Sequence, residues 1–402
     1  MSKANGFDAR KFIDEQTIEV QKILGHEKAL IACSGGVDST TCAALTRRAV
    51  GDNLACIFID TNFMRMCEPE QVVERLRNPP IGLPVRLVRA NGEFMEALKD
   101  LQDAEEKRKA FRRTFYNVLG RVSKEEHCSY LVQGTILPDI LETVGGIKTQ
   151  HNVLEQMKIN TKQEYGFRVV EPLVSLYKYQ VREVARALGM PEESSERQPF
   201  PGPGLSVRVV GEVTPGKLDI EKKVTGIVER WMEPVNSKQY FPATLDSMLQ
   251  RYPKASNAMN EVHSLLKTQA SDVDITCLRA RATGIRGGKR LYGRVVLVRV
   301  RDEKGNCLHL PYRTMQAVQA AITSMDHSAA RVLYGLSDKP REGPLIVAVR
   351  AIESKDFVRA RVTNVPWKIL RSIESEVMAS CPTVSSVCFD ITPKPPSSIE
   401  FE

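Results

Sequence analysis

Between residues 29 and 190 the chain alternates short, nearly unbroken apolar runs with longer charged stretches of helical period. Ala29-Leu30-Ile31-Ala32 and Leu54-Ala55-Cys56-Ile57-Phe58-Ile59-Asp60 lack the polar alternation of a half-exposed strand, which marks strands covered on both faces. Val85 to Arg89, Tyr130-Leu131-Val132 and Arg168 to Glu171 extend the series. Helices are predicted between them and ahead of them. Residues 7–24 set Phe12, Ile13, Ile18, Val20, Ile23 and Leu24 close to helical spacing, and Pro69 to Arg77 and the charged stretch 93–126 follow. Lys178 to Leu188 places Val181, Val184, Ala185 and Leu188 on one stripe. Alternation of this length predicts an α/β fold, a doubly wound and mostly parallel sheet.

Pro199-Phe200-Pro201-Gly202-Pro203-Gly204-Leu205 stops the alternation, because its prolines and glycines continue neither a helix nor a strand. Further on the chain repeats itself. Leu310-Pro311-Tyr312-Arg313 matches Val365-Pro366-Trp367-Lys368, and Arg331 to Pro340 matches Ser386 to Pro395, both at an offset of 55 residues. A strand precedes each of the two helices, at Val295 to Val300 and Leu345 to Arg350. The expected organisation is a sheet domain over 1–200, a linker and helical connection over 201–271, and an α+β domain of two strand-helix-strand repeats over 272–341 and 342–402.

Composition narrows the class. A length of 402 residues, 42% hydrophobic and 26% charged, suits a globular protein of two or three domains. No apolar run approaches the roughly 18 residues of a membrane span and no leader pattern opens the chain, so a cytoplasmic location is expected. The nine cysteines form no C-x-x-C pair and have no histidine at ligand spacing, which argues for small core residues rather than a zinc site or a disulfide framework. A net charge of +8 without a run of five like charges suits an enzyme of anionic nucleotides better than a nucleic-acid binder. Lys107-Arg108-Lys109 reads as a solvated helix face.

The candidate chemistry starts at Ser34-Gly35-Gly36-Val37-Asp38-Ser39, between the first strand and a helix. Two glycines let backbone approach an anion, and the N–H groups that open a helix favour negative charge, so this is a phosphate cradle. Ser34 and Ser39 add hydroxyl donors. Asp38 repels phosphate and is better explained as a ligand for Mg²⁺ riding on it. Asp60 closes the second strand, at the edge where a ribose sits in open α/β sheets, or is simply a loop acid. Gln133-Gly134-Thr135 closes the next strand. Asp139 and Glu142 stand three apart, facing one way on a helical turn, where they can hold a second metal or position a phosphate. Ile147-Lys148-Thr149-Gln150-His151-Asn152 lies in a poorly patterned stretch of the kind that forms lids.

Taken together, SGGVDS at 34–39, QGT-x-x-PD from Gln133, I-K-T-x-H-N at 147–152, PFPGPGL at 199–205 and KPP-x-x-IE-x-E at 394–402 closely resemble the ATP-pyrophosphatase part of the GMP synthetase family. SGGVDS alone admits any pyrophosphatase-loop relative; PFPGPGL and the ending narrow it. The resemblance implies an adenine nucleotide alpha hydrolase-like sheet and ATP and Mg²⁺ as cofactors. The implied reaction is the amination of xanthosine 5′-monophosphate to GMP through an adenylated intermediate. It also implies that Ser34, Gly35, Gly36, Val37, Asp38, Ser39, Asp60 and Gly134 bind ATP, with Asp38 on the metal. Asp38, Asp139, Glu142, Lys148, His151 and Asn152 would form the adenylating site, and Arg208, Lys394, Ile399 and Glu400 would contact the xanthine nucleotide.

This chain departs from the family pattern at Gln198, where a histidine is usual, at Ser386, where a phosphate-binding arginine is usual, and over 230–270. The first repeat keeps the arginine as Arg331. Because that residue belongs to the other repeat, weaker nucleotide binding is expected, with little effect from Arg331→Ala. Only 28 residues precede the first strand, so ammonia is expected either free or from a separate glutaminase subunit. The two repeats are expected to pack as a pseudo-twofold pair, covering sheet faces that a single-copy relative would bury between subunits, which favours a monomer over a homodimer. Two alternatives remain: a pyrophosphatase-loop enzyme that adenylates another nucleotide or a tRNA base, and a non-catalytic nucleotide-binding paralogue.

Overall fold

A computed structural model describes residues 6–144, 160–191, 200–266, 272–354 and 358–402. The chain divides into two compact units, one of Met1–Ala97 with Ala110–Arg197 and one of Leu98–Lys109 with Gln198–Glu402.

The first unit runs α1 (Ala9–Leu24), β1 (Lys28–Ala32), α2 (Val37–Val50), β2 (Leu54–Asp60), α3 (Glu68–Arg77), β3 (Arg86–Arg89), α4 (Asn91–Leu98), α5 (Ala104–Glu125), β4 (Cys128–Val132), α6 (Leu137–Val144), α7 (Thr161–Tyr165), β5 (Arg168–Val170) and α8 (Lys178–Ala187). Its five strands are parallel, in the order β3-β2-β1-β4-β5. Ala29, Leu30 and Ile31 of β1 are all buried, as an apolar run between two layers of helix requires. In α1, Asp8 caps the first turn by accepting from Arg10 N and Lys11 N, and Ile13, Val20 and Leu24 are buried. Ile18 and Ile23 instead face solvent, since neither falls on the stripe set by 13, 20 and 24. The stretch 93–126 is two helices rather than one. Asp100 takes a left-handed φ of 61°, and Asp103 caps a fresh start by accepting from Glu105 N at 2.9 Å and Glu106 N at 3.0 Å.

The second unit adds α9 (Pro215–Met232), β6 (Gln239–Asp246), β7 (Leu249–Gln250), α10 (Ala255–Leu266), β8 (Asp272–Arg286), β9 (Lys289–Arg301), α11 (Tyr312–Met325), β10 (Ala329–Gly335), β11 (Leu345–Glu353), β12 (Arg361–Val362), α12 (Trp367–Ser380) and β13 (Val384–Asp390). Residues 201–271 are thus not only linker and helices, because β6 lies along β11 from Gln239 to Asp246. The eight-stranded sheet runs β12-β11-β13-β10-β9-β8-β7 with β6 also on β11. Each repeat is a parallel strand-helix-strand unit, β9-α11-β10 and β11-α12-β13.

The repeats meet edge to edge, through their last strands. β10 and β13 pair antiparallel, Leu333 with Asp390, Tyr334 with Phe389 and Gly335 with Cys388. Tyr334 and Phe389 are the same position of the two repeats, so a pseudo-twofold axis passes between them. Each repeat leaves the edge of its last strand with unpaired N–H and C=O groups, and the other repeat satisfies them. On one sheet face Val296, Val298, Val332, Tyr334 and Val347 pack with α9 to α12. On the other, Leu297, Leu333 and Ile346 alternate with these and pack under Val210 and Phe401. The loop after PFPGPGL and the final residues therefore lie on the sheet face opposite the helices.

Candidate active site

In a parallel sheet of order β3-β2-β1-β4-β5 the chain leaves β1 and β4 in opposite directions, and ligands bind at that switch point beyond the strands' carboxyl ends. The SGGVDS loop follows β1 and Gln133-Gly134 follows β4. They touch: a Cβ on Gly134 would sit 3.0 Å from Ser39 N and 3.1 Å from the Asp38 carbonyl carbon and oxygen. Ser39 Oγ accepts from Ser34 N at 3.1 Å, lies 3.0 Å from Ser34 Oγ and donates to Gly36 O at 3.2 Å, so hydrogen bonds within the loop fix its shape. Gly35 has φ +77°, and a Cβ there would lie 2.6 Å from Val72 Cγ1. Arg75 Nη2 donates to Gly35 O at 3.2 Å from α3. Val37 is buried as the first residue of α2, whose opening N–H groups have no carbonyl one turn back.

Asp38 stands at the head of α2 and pairs with Lys178 of α8. Burial pushes its carboxyl above the ordinary value against the pull of Lys178, and the nearby Asp139 carboxylate adds to the push. Its Oδ1 is buried without a hydrogen-bond partner. An orphaned carboxylate oxygen beside a second carboxylate fits a hard divalent cation that keeps most of its ligands from phosphate and water. Asp139 Oδ2 accepts from Ile136 N at 3.1 Å within the opening of α6. Glu142 lies on the same helix. Asp60 is buried at the end of β2, its Oδ1 accepting from Asn62 N at 2.9 Å and its Oδ2 3.8 Å from Arg89 Nη1. Lys148, His151, Asn152 and Gln198 lie outside the described residues.

Sequence reasoning passed over Lys178. A signal was available: it is the first residue of α8, where the helix dipole disfavours a cation, so a partner elsewhere was implied.

In the second unit Arg208 is buried and forms a two-point pair with Glu400, Nε to Oε2 at 3.0 Å and Nη2 to Oε1 at 3.1 Å. Its guanidinium lies 4.1 Å from the Phe241 ring centroid, and Gln239 Nε2 donates to Glu400 Oε1 at 3.2 Å. Ile399 packs against the sheet beneath. The backbone of Lys394 is fixed by two hydrogen bonds with Ala360, at 2.8 and 3.0 Å. Beside Arg208 the buried Glu221 carboxyl is pushed up to about 8, burial outweighing its bond from Thr244 Oγ1 at 2.7 Å.

Arg331 does reach the second repeat's tail, contrary to expectation. Its Nη1 donates to Asp390 Oδ2 at 2.6 Å, and its Nη2 to Ser398 O at 3.1 Å, Ser398 Oγ at 3.0 Å and Glu400 O. The pseudo-twofold pairing explains this. Residues near 331 lie opposite the strand that leads into the tail, as Val332 N to Thr392 Oγ1 at 2.7 Å shows. Residues near 386 lie opposite Ser337, which accepts from Val387 N at 3.0 Å. The arginine position of the first repeat therefore serves the second repeat's tail, while Ser386, at the matching position of the second, is buried with its hydroxyl unpartnered.

Lys107-Arg108-Lys109 also differs from its reading as a solvated face. Lys107 is fully buried and Arg108 donates to Glu402 O, while Lys109 is exposed. Their partners arise about 100 and 300 residues further along, beyond what local charge patterning registers.

A relative from Sulfurisphaera tokodaii, described as a subunit of glutamine-hydrolyzing GMP synthase, is 39% identical over 98% of this chain and 100% of its own length. The chain belongs to this GMP synthase family. A second member with the same description, from Methanopyrus kandleri, is 40% identical over 98% of this chain and 100% of its own length. Within the family frame, residues 341–401 match the model for the GMP synthase C terminal domain, and residues 25–201 match that for the thiamine biosynthesis protein ThiI. The solved structure of NMN synthetase from Francisella tularensis aligns with a TM-score of 0.38 at 14% identity, covering 53% of this chain and 85% of that one. Among the described residues no helix is long and apolar enough to cross a membrane.

Proposed function

We propose that the chain is the ATP-dependent ligase that aminates xanthosine 5′-monophosphate to GMP, with ammonia supplied free or by a separate glutaminase subunit. Full-length similarity to the GMP synthase relatives carries this reading, together with the presence of the SGGVDS cradle and the Arg208–Glu400 pair that such a reaction needs. The O2 of xanthine is a poor leaving group. It attacks the α-phosphorus of ATP, the bond to the β-phosphate oxygen breaks and pyrophosphate leaves. Ammonia then adds at C2, loses a proton to solvent and expels AMP.

Ser34, Gly35, Gly36, Val37 and Ser39 supply N–H and hydroxyl donors to the ATP phosphates, and Gly134 keeps the approach open. Asp60 takes the ribose. Asp38, with Asp139 and Glu142, would hold Mg²⁺, which neutralises charge on the departing pyrophosphate. Lys148, His151 and Asn152 are assigned to the adenylating site by the family resemblance. Arg208, Lys394, Ile399 and Glu400 hold the acceptor nucleotide. The alternative of base thiolation shares only the first unit's match, whereas the match at 341–401 favours the purine acceptor.

The purified chain should form GMP from xanthosine monophosphate, MgATP and ammonium chloride, and form none when glutamine replaces ammonium. Chromatographic detection of the product decides it. GMP formation with glutamine alone, or none with ammonium, contradicts the proposal.

A further inference from the structure

Lys107 is fully buried, yet the chemistry above does not use it. Its ammonium donates to the carbonyl oxygens of Ser206 at 3.2 Å, Val209 at 2.8 Å and Gly211 at 2.8 Å, and pairs with the side-chain carboxylate of Glu402. An ammonium is costly to bury unless its donors are matched, and this one is fully engaged.

The partners belong to the two segments that carry the proposed nucleotide contacts. The three carbonyls flank Arg208, and those between them are also occupied: Val207 O accepts from Glu402 N at 3.2 Å, Arg208 O from Thr244 N at 2.9 Å and Val210 O from Lys217 Nζ at 3.4 Å. Glu402 lies two residues beyond Glu400, and its Oε1 accepts from Gly211 N at 2.8 Å and from the Tyr292 hydroxyl at 3.2 Å. One ammonium thus ties the loop that presents Arg208 to the tail that presents Glu400. The two-point contact between those residues depends on the spacing of the two segments.

We propose that Lys107 is a positioning residue for the acceptor nucleotide: it sets the distance between the Arg208 loop and the Glu400 tail without touching the ligand. The proposal rests on the function given above. A merely structural ammonium would lower the melting temperature and leave the ligand affinities of the folded protein alone. A positioning ammonium changes one affinity and not the other, because ATP is held by the cradle of the first unit.

The test uses the full chain as wild type, Lys107→Met, Glu402→Gln, Arg208→Ala and Lys107→Met/Arg208→Ala, each titrated calorimetrically with xanthosine monophosphate and, separately, with MgATP. Temperatures are chosen where circular dichroism reports native structure. Lys107→Met should raise the dissociation constant for xanthosine monophosphate about tenfold or more and Glu402→Gln a few-fold, with MgATP affinity unchanged. In the Arg208→Ala background Lys107→Met should add little, since the group it acts through is gone. Should Lys107→Met fail to fold, Glu402→Gln alone decides. Unchanged nucleotide affinity in the variants, equal losses for both ligands, or full additivity with Arg208→Ala overturns the positioning role alone. A wild-type chain that does not bind xanthosine monophosphate overturns the proposed function and this role with it.

Discussion

Asp38→Asn should lower xanthosine monophosphate-dependent pyrophosphate release by about 10²- to 10³-fold while leaving the melting temperature equal or slightly higher. The activity half follows from the orphaned Oδ1: an amide keeps the shape and loses the charge that a metal beside a polyphosphate requires. The stability half follows from the sign of the proton linkage. Burial raises the folded-state pKa of this carboxyl, so its ionised form costs stability once pH rises through the unfolded value, near 3.9, towards the folded one. Asparagine removes that cost, and Lys178 loses a partner but keeps a side chain that is 44% exposed to water. Malachite-green detection after pyrophosphatase treatment, with a thermal melt alongside, measures both. Near-normal turnover would remove Asp38 from the metal site.

Asp390→Ala should cost about 3–5 kcal/mol of stability, the expected penalty for leaving buried charges without their counter-ion. Asp390 Oδ2 accepts from Arg331 Nη1 at 2.6 Å and from Arg350 Nη1 at 2.7 Å, and all three side chains are fully buried. Arg350 goes on to bind Thr392 O at 3.0 Å, Ser397 Oγ at 2.8 Å and Ser398 O at 2.9 Å, so the cluster also anchors the tail that carries Ile399 and Glu400. Burial alone pushes the Asp390 carboxyl up, but Arg350 and Arg331 hold it below its ordinary value. A carboxyl depressed in the folded state contributes stability that is present above about pH 4 and lost as pH falls through the folded value. The variant should therefore show lower urea stability at pH 7 and a flatter acid limb than wild type. A change under about 1 kcal/mol would mean that the arginines find other partners.

The first unit was largely legible because its strands are buried on both faces and its ligand loop is marked by glycines, so periodicity and turn chemistry carry the information locally. The 55-residue offset exposed the internal repeat for the same reason. What escaped depends on contacts between distant segments. The offset shows that Tyr334 and Phe389 are equivalent, but only the edge pairing of β10 with β13 makes Arg331 serve the second repeat's tail. Lys107 sits in a run of three basic residues on a predicted helix, and its carbonyl cage forms from residues about 100 positions away. Asp103 is different, since an N-capping aspartate inside 93–126 was open to reading and was passed over.

The proposed first step adenylates xanthosine monophosphate at the expense of ATP and releases pyrophosphate. Exchange of labelled pyrophosphate into ATP by the purified chain, with Mg²⁺ and without ammonia, tests it most directly, because reversal of adenylation is the only route for the label. Exchange should require xanthosine monophosphate, be absent with GMP or with no nucleotide, and fall with Asp38→Asn. Failure to exchange in the presence of xanthosine monophosphate, or exchange that proceeds equally well without it, would mean that the chain does not adenylate this nucleotide.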